Sequence, residues 1–224
     1  DLNLENEFFN KKIILTGASK GLGAETCKVL ASKGARIAML SRSKIEMDKF
    51  RNVMKNSSNH ISIKVDLLKN RQIKTAVQKA KKFLKEVDII IHIAGGGYGL
   101  KEALIKNTDL KTLFQINLGA AAEINKLVVN DKRKNHDLKL IHVGSIASNE
   151  AVGSVGYNVA KSALAAYVRS LGRELYRHKV LVTGILPGGF IANGNAMDRL
   201  KIKKIETYKK FIKTRLPRGI MGKV

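Results

Sequence analysis

Tyr157 and Lys161 are the two side chains best suited to acid–base chemistry. They stand four positions apart in the segment YNVAK (residues 157–161), and in a helix this spacing puts both side chains on one face, one turn apart. A phenol, whose ordinary pKa is about 10, transfers protons poorly at neutral pH unless a positive charge stabilises its anion. Lys161 can supply such a charge. The same pair is common on ordinary helices, so further residues are needed to indicate a site.

Ser145 and Asn117 are the polar residues that we add to this pair. Ser145 follows an apolar run that ends at Val143, and ligands of parallel sheets bind at the carboxyl ends of the strands. Its hydroxyl can therefore hold the carbonyl oxygen of a substrate. Asn117 lies in the longest helical stretch, where asparagine is mildly unfavourable, and its simplest role is a side-chain hydrogen bond.

A glycine-rich segment, TGASKGLG (residues 16–23), follows the first apolar run. Glycine allows a tight turn and the close approach of a diphosphate, which then lies at the positive N-terminus of the next helix. A plain strand-to-helix turn would also explain these glycines, but the first strand–helix junction of an α/β pattern is where this motif belongs. The predicted dinucleotide contacts here are Gly17, Ser19, Lys20, Gly21, Leu22 and Gly23.

The second apolar run ends in LSRS (residues 40–43), with a basic residue and no acid. Enzymes that prefer NAD tend to place a carboxylate near this point to bind the adenosine ribose. Arg42, beside Ser41, suits a 2′-phosphate instead, and Lys20 adds a second charge. The sequence therefore favours NADP(H), with NAD(H) as the alternative. In the plainer interpretation Arg42 is a solvated loop residue.

Three further segments follow later apolar runs at the same predicted edge. Asp66 can accept a hydrogen bond from an adenine amino group or, equally well, cap the next helix. The small residues at 94–97 suit the close approach of a ribose, and Pro187-Gly188 follows the sixth run at the same edge. The predicted cofactor contacts among these segments are Asp66, Leu67, Ala94, Gly95, Pro187 and Gly188, in addition to Tyr157 and Lys161.

The elements that must position these residues alternate regularly between apolar runs and helical patterns. Runs without a polar side are typical of parallel strands that are buried on both faces; they lie at residues 13–15, 36–40, 61–65, 88–93, 138–143 and 180–186. Helical patterns lie between them at residues 22–33, 44–55, 70–85, 109–130 and 158–177. The alternation predicts a single α/β domain with a doubly wound parallel sheet, the Rossmann fold.

The composition of the 224 residues is that of a globular protein with a strong excess of basic residues. Lys and Arg number 42 against 18 Asp and Glu, which gives a net charge of +24. Because lysines are spread along the chain and aromatic residues make up only 5%, we attribute most of this charge to a general lysine bias and expect no nucleic-acid partner. No apolar run approaches the roughly 20 residues of a membrane span. We expect no signal peptide and no metal site, and the single Cys27 fits the reducing cytoplasm.

Taken together, these motifs resemble the short-chain dehydrogenase/reductase family from Ile13 to Lys223. The family pattern Thr-Gly-x-x-x-Gly-x-Gly is met at residues 16–23 and the pattern Tyr-x-x-x-Lys at residues 157–161. The family serine corresponds to Ser145, and the helical asparagine to Asn117.

The resemblance implies a mechanism. Tyr157 donates a proton to a carbonyl oxygen as hydride arrives from the nicotinamide, and Ser145 orients and polarises that carbonyl. Lys161 holds the nicotinamide ribose and, with the positive ring of the oxidised cofactor, lowers the pKa of Tyr157. Asn117 anchors a water for proton resupply.

Residues 20, 41 and 42 also match the positions at which NADP-dependent members bind the phosphate. The chain departs from the family at His92-Ile93, where Asn-Asn is usual, and after Pro187-Gly188, where the usual threonine is missing. The second departure puts the contact to the nicotinamide carboxamide in doubt.

The resemblance further divides the chain into an N-terminal extension (residues 1–10), a substrate lid (about 189–216) and an incomplete C-terminus that lacks a last strand. Ten basic residues and one acid, Glu206, fall between Arg199 and Val224. Three interpretations of this basic segment are open: a solvated amphipathic helix, a basic rim that attracts an anionic substrate and, third, a membrane-surface role. The apolar residues that could form one helix face are Leu200, Ile205, Tyr208 and Phe211.

The functions that we consider are an NADP(H)-dependent reductase of a 3-oxoacyl thioester on an acidic carrier protein and a keto-sugar reductase or dehydrogenase of polysaccharide biosynthesis. A non-catalytic nucleotide- or RNA-binding relative would have lost catalytic residues that this chain retains. We expect a homodimer or homotetramer built on the helices at 109–130 and 158–177. The apolar residues that could form this interface, or equally face the sheet, are Leu113, Ile116, Ala120 and Ile124.

Overall fold

The apolar runs form the strands of one six-stranded parallel sheet, which confirms the predicted α/β class. The computed structural model describes residues 7–224, so residues 1–6 of the expected extension lie outside the described part. The strands are β1 (Lys12–Thr16), β2 (Arg36–Ser41), β3 (His60–Lys64), β4 (Ile89–His92), β5 (Leu138–Val143) and β6 (Val180–Ile185). Their order is β3-β2-β1-β4-β5-β6, the doubly wound order of the Rossmann fold.

Helices cover both faces of this sheet, and the alternation of side chains along β1 shows why its run is wholly apolar. Ile13 and Leu15 pack in one core cluster with Cys27, whereas Ile14 packs in the other with Ile73. The helices that join the strands are α1 (Gly21–Ser32), α2 (Lys44–Arg51), α3 (Asn70–Leu84), α4 (Asn107–Phe114), α5 (Ala120–Val129) and α6 (Val155–Leu175). Within residues 7–224 no helix is both long and apolar enough to cross a membrane.

The sheet order reverses beside β1, because the chain passes from β3 across to β4 on the other side of β1. At such a point the loops at the carboxyl ends of neighbouring strands diverge and leave a crevice for a ligand. The turn after β1 is held to β2 by the Gly17 N–H, which donates to the Leu40 carbonyl at 2.9 Å. Gly17 has φ +75°, and a Cβ added there would lie 2.8 Å from the Ala94 nitrogen, so the turn requires glycine.

The long helix predicted at 109–130 is interrupted. A five-residue π-helical segment, Gln115–Gly119, lies between α4 and α5. The four apolar residues considered for a subunit interface are all buried, at no more than 6% exposure: Leu113, Ile116, Ala120 and Ile124. Three of them, Ile116, Ala120 and Ile124, pack in a core cluster with strand residues, as the interpretation in which they face the sheet requires, whereas Leu113 lies against Gly156 of α6.

The expected lid contains two separate helices, so its apolar residues do not lie on one face of a single helix. A short strand β7 (Phe190–Ile191) is followed by α7 (Ala196–Lys203), α8 (Ile205–Arg215) and β8 (Gly222–Lys223), and β7 pairs with β8 in parallel. Lys204, with φ −148° and ψ 66°, separates α7 from α8. Tyr208 is 9% exposed but Ile205 is 44% exposed, so the prediction of a single apolar face was wrong.

Candidate active site

Tyr157 and Lys161 lie on the first two turns of α6, as their spacing predicts. The Lys161 Nζ lies 5.8 Å from the centroid of the Tyr157 ring. Lys161 is only 3% exposed, and its ammonium donates a hydrogen bond to the Val143 carbonyl at 3.1 Å. The last residue of β5 therefore holds Lys161 beneath the phenol, at the carboxyl edge of the sheet.

Burial sets the pKa of both groups. It raises the pKa of the Tyr157 phenol, and a hydrogen bond with the Ser145 side chain acts in the opposite direction. Burial also lowers the pKa of Lys161 to about 8, because a low-dielectric surrounding disfavours the charged ammonium. The lowered pKa expected for Tyr157 is thus not produced by the protein groups alone.

Ser145 is placed beside Tyr157 by the short turn that follows β5. Its backbone is extended, and its Oγ accepts a hydrogen bond from the Ala147 N–H at 3.1 Å, so it caps the 3₁₀ turn Ile146–Ser148. The Ser145 side chain also lies close enough to the Tyr157 phenol to oppose the rise in its pKa. A carbonyl oxygen at this point could accept hydrogen bonds from both.

Asn117 lies in the π-helical segment, where such irregularities frequently mark functional sites. Its Oδ1 accepts a hydrogen bond from the Gly96 N–H at 2.9 Å, and its Nδ2 donates to the carbonyls of Gly96 and Leu113 at 3.0 and 2.9 Å. The simple side-chain hydrogen bond expected for Asn117 is present in this form. A Cβ added at Gly95 would lie 2.8 Å from the Asn117 Oδ1 and 3.3 Å from the Lys161 Nζ, so Gly95 lies between these two side chains.

The glycine turn is tightly packed against the start of α1. A Cβ added at Gly23 would lie 2.1 Å from the Gly17 carbonyl oxygen, closer than any side chain permits. Gly21 has φ +55°, and no side chain caps the N-terminus of α1. The backbone of this turn can therefore approach an anionic group closely, and that group would face the positive end of the helix.

The residues predicted to bind the 2′-phosphate of the adenosine lie around this turn, and each of them contacts a different residue. The Ser41 hydroxyl donates to the Ser19 hydroxyl at 2.8 Å, which ties the end of β2 to the glycine turn. Lys20 extends toward Gly194, where an added Cβ would lie 3.3 Å from its Nζ. The Arg42 guanidinium lies 5.6 Å from the centroid of the Tyr98 ring, an aromatic residue that the sequence analysis did not single out.

Asp66 has a local role that differs from the helix cap considered above. Its Oδ1 accepts a hydrogen bond from the Leu68 N–H at 3.1 Å, and the residue that precedes α3 as its N-cap is Lys69. The Leu67 carbonyl accepts a hydrogen bond from the Gln115 side chain at 3.1 Å. The segment after β3 is thereby joined to the π-helical segment.

The chain after β6 passes over the glycine turn. The Pro187 carbonyl accepts a hydrogen bond from the Ile146 N–H at 3.3 Å, whereas a Cβ added at Gly188 would meet nothing within 4 Å. A Cβ added at Gly21 would lie 3.5 Å from the Ala192 Cβ and 3.4 Å from the Asn193 carbonyl oxygen. The start of the expected lid therefore lies against the turn that would hold a diphosphate.

A buried polar cluster lies behind the site, and of its members only His92 stands out in the sequence. The rings of His92 and His142 stack with centroids 4.6 Å apart. The Asn125 Oδ1 lies 2.8 Å from the His92 Nε2, and its Nδ2 donates to the Tyr167 hydroxyl at 3.2 Å. Burial lowers the pKa of His92 to about 4, and the pKa of His142 is lowered further. The pairing of two adjacent strands is not visible in a single sequence, which is why the cluster was missed.

The residues at this crevice fit a dinucleotide. The glycines of the turn leave its backbone accessible, Gly95 keeps the space beside Lys161 clear, and Lys20 and Arg42 are exposed cations nearby. Among residues 7–224, no cluster of three His, Cys, Asp or Glu side chains could hold a metal ion.

Known proteins resemble this chain in sequence. The family profile described as short chain dehydrogenase matches residues 11–201. The ketoacyl reductase HetN of Nostoc sp. is 26% identical over 190 residues, which cover 84% of this chain and 66% of that protein, just under two thirds. The 3-oxoacyl-[acyl-carrier-protein] reductase of Mus musculus is 27% identical over 204 residues, which cover 91% of this chain and 83% of that protein.

Solved structures resemble the chain in fold. A short-chain dehydrogenase/reductase of unknown function from Caenorhabditis elegans, determined with cofactor, has a TM-score of 0.86 at 23% identity and covers 96% of this chain and 84% of that one. The L-sorbose reductase of Gluconobacter frateurii, complexed with NADPH and L-sorbose, has a TM-score of 0.84 at 19% identity and covers 97% of this chain and 87% of that one. At these identities the likeness concerns the fold.

Proposed function

The chain belongs to the short-chain dehydrogenase family, and from this premise we propose that it is an NADP(H)-dependent oxidoreductase that interconverts a ketone and a secondary alcohol. The observation that carries the proposal is the convergence of three side chains at one edge of the sheet. The Ser145 side chain interacts with the Tyr157 phenol, and the buried Lys161 Nζ lies 5.8 Å from the Tyr157 ring centroid.

In the direction of reduction, the Tyr157 hydroxyl donates its proton to the carbonyl oxygen of the substrate. Ser145 donates a second hydrogen bond to the same oxygen, which stabilises the negative charge that develops there. The bound nicotinamide supplies the hydride. Lys161 holds the nicotinamide ribose and adds a positive charge beneath the phenol, and this charge favours the tyrosinate that remains.

Asn117 keeps the chain beside Lys161 in place. Its hydrogen bonds to both backbone groups of Gly96 fix the small-residue segment that follows β4. We assign it the further task, which the family resemblance implies, of anchoring a water that returns a proton to Lys161 and Tyr157.

The preference for NADP(H) over NAD(H) rests on Lys20, Ser41 and Arg42. Both cations are exposed, and Ser41 is held at the glycine turn by Ser19. The remaining cofactor contacts are the glycine turn, Asp66 and Leu67, Ala94 and Gly95, and Pro187 and Gly188.

A 3-oxoacyl thioester is the substrate class that we favour, because a mouse relative that carries that activity in its name aligns over 91% of this chain. Residues of about 189–216 would form the lid, and its lysines would attract an anionic substrate or carrier. A homodimer or homotetramer in the cytoplasm completes the proposal, and the single buried Cys27 fits a reducing compartment.

The test is NADPH oxidation with an acetoacetyl thioester and with keto-sugars, for the wild type and for Tyr157→Phe. We expect Tyr157→Phe to lower kcat by roughly 10²–10⁴-fold, because the proton donor is lost, with NADPH affinity retained. Tyr176→Phe, which alters a tyrosine that is 75% exposed, is the matched control and should turn over normally. Activity that survives in Tyr157→Phe would overturn the mechanism, and turnover of a keto-sugar alone would replace the thioester.

A further inference from the structure

Tyr98 lies in a strained position beside the predicted adenosine end of the crevice. It follows Gly95-Gly96-Gly97 and precedes Gly99 in the loop after β4, and its own φ is +53°. A bulky residue in the left-handed region costs of order 1 kcal/mol or more and persists only where its surroundings hold it. Cβ atoms added at Gly96 and Gly99 would meet nothing within 4 Å, so the neighbouring loop residues have open space around them.

The contact that Tyr98 makes is with Arg42. The guanidinium carbon lies 5.6 Å from the ring centroid, which is a cation–π distance. Because β1 lies between β2 and β4 in the sheet, this contact joins the loops on the two sides of the glycine turn. It is thus a bridge over the carboxyl end of β1.

The geometry of a guanidinium explains what this bridge can do. Stacking uses the flat face of the group, whereas its N–H donors point outward in the plane and remain available for a forked pair with phosphate oxygens. No carboxylate forms an ion pair with Arg42 within the described residues 7–224. The Tyr98 ring is therefore a contact that can restrict the Arg42 side chain without occupying its donors.

We propose that Tyr98 is a positioning residue that holds Arg42 for the 2′-phosphate of the cofactor and thereby strengthens the discrimination between NADPH and NADH. This inference rests on the NADP(H) preference proposed above. A restricted guanidinium loses less conformational freedom when it binds, so the ring contributes to the affinity for the phosphorylated cofactor only.

The experiment measures the dissociation constants of NADPH and NADH by fluorescence titration for wild type, Tyr98→Leu, Tyr98→Phe, Arg42→Met and the double variant Tyr98→Leu/Arg42→Met. An exposed cation–π contact corresponds to about two- to five-fold in affinity. We expect Tyr98→Leu to weaken NADPH by that factor and to leave NADH unchanged, and we expect Tyr98→Phe to keep the wild-type ratio because the ring is retained.

The double variant separates positioning from a general effect on the loop. In the Arg42→Met background, Tyr98→Leu should have no further effect on NADPH. Equal weakening of both cofactors by Tyr98→Leu, or additive effects in the double variant, would overturn the inference. Failure of the proposed cofactor preference would be recognised separately, since the wild type itself would then bind NADPH and NADH equally. Tyr176→Leu controls for the loss of an exposed aromatic ring elsewhere.

Discussion

We predict that the stacked histidines at the centre of the sheet make the stability of the protein sensitive to mild acid. His92 ends β4 and faces His142 on β5 in the strand register, and both are at most 5% exposed. His142 also has its Nδ1 buried without a hydrogen-bond partner. A proton added to either ring would place a charge in a low-dielectric interior beside the second ring and near Lys161, so burial keeps both neutral.

The size of the effect follows from the difference in pKa between the folded and unfolded chains. The pKa of His92 is about 4 in the fold and about 6.5 in an unfolded chain. Because the unfolded chain binds more protons between these values, the free energy of unfolding falls as the pH falls through this window. For His92 alone the loss between pH 7 and pH 5 is about 2 kcal/mol, and for both histidines it is about 4 kcal/mol. This loss is a large part of the free energy of unfolding of a typical domain, which is about 5–15 kcal/mol.

Urea unfolding at pH 7 and pH 5, at one protein concentration, tests this prediction. His60, whose pKa is also lowered by burial, contributes to the loss in the wild type, so the comparison is between variants. His92→Asn should lose about 2 kcal/mol less than the wild type over this interval, whatever its stability at pH 7. His178→Asn, at an exposed position, should follow the wild type. If the loss in His92→Asn equals that in the wild type, the reasoning is refuted.

Three further substitutions test the packing of the glycine turn and the burial of Lys161. Gly23→Ala forces a Cβ to 2.1 Å from the Gly17 carbonyl oxygen and should lower the free energy of unfolding by about 1–3 kcal/mol or more. The control is Gly188→Ala, where the added carbon has open space around it. This control should leave the urea unfolding curve unchanged. Lys161→Met removes a buried ammonium whose pKa is lowered to about 8. We expect this variant to lose turnover. We also expect its fold to be more stable than that of the wild type at pH 7 by about 2 kcal/mol, which is the gain from removing the buried charge less the loss of one hydrogen bond. That gain should vanish by pH 10, where the wild-type lysine is largely neutral, and a gain that persists there would contradict the argument.

The sequence was sufficient for the fold because its signals are local. Each apolar run indicates a strand that is buried on both faces, as at Ile13, Ile14 and Leu15. The glycine turn indicates a left-handed backbone and a close packing that other residues rarely adopt. The π-helical segment around Asn117 could not be predicted, because a single inserted residue barely changes a helical pattern. The break at Lys204 was missed because its neighbours continue the helical pattern on both sides.

Contacts between residues far apart in the chain explain the rest of what was missed. Arg42 was chosen for its charge, but its partner Tyr98 is 56 positions away and is brought to it only by the sheet order. His92 and His142 meet because β4 and β5 pair in one particular register. Such contacts depend on the complete topology, which local patterns restrict but do not specify.

The residues assigned to the chemistry are also those that the fold accommodates at a cost. Lys161 is buried without a carboxylate partner among the described residues, Tyr98 has a left-handed backbone, and Asn117 lies in a π-helical segment. Each would be replaced if stability alone were optimised, for instance by methionine at position 161. Their positions along one edge of the sheet are those that the proposed function requires, since a structure selected only for packing would exclude the buried charge, the strained backbone and the helix irregularity alike.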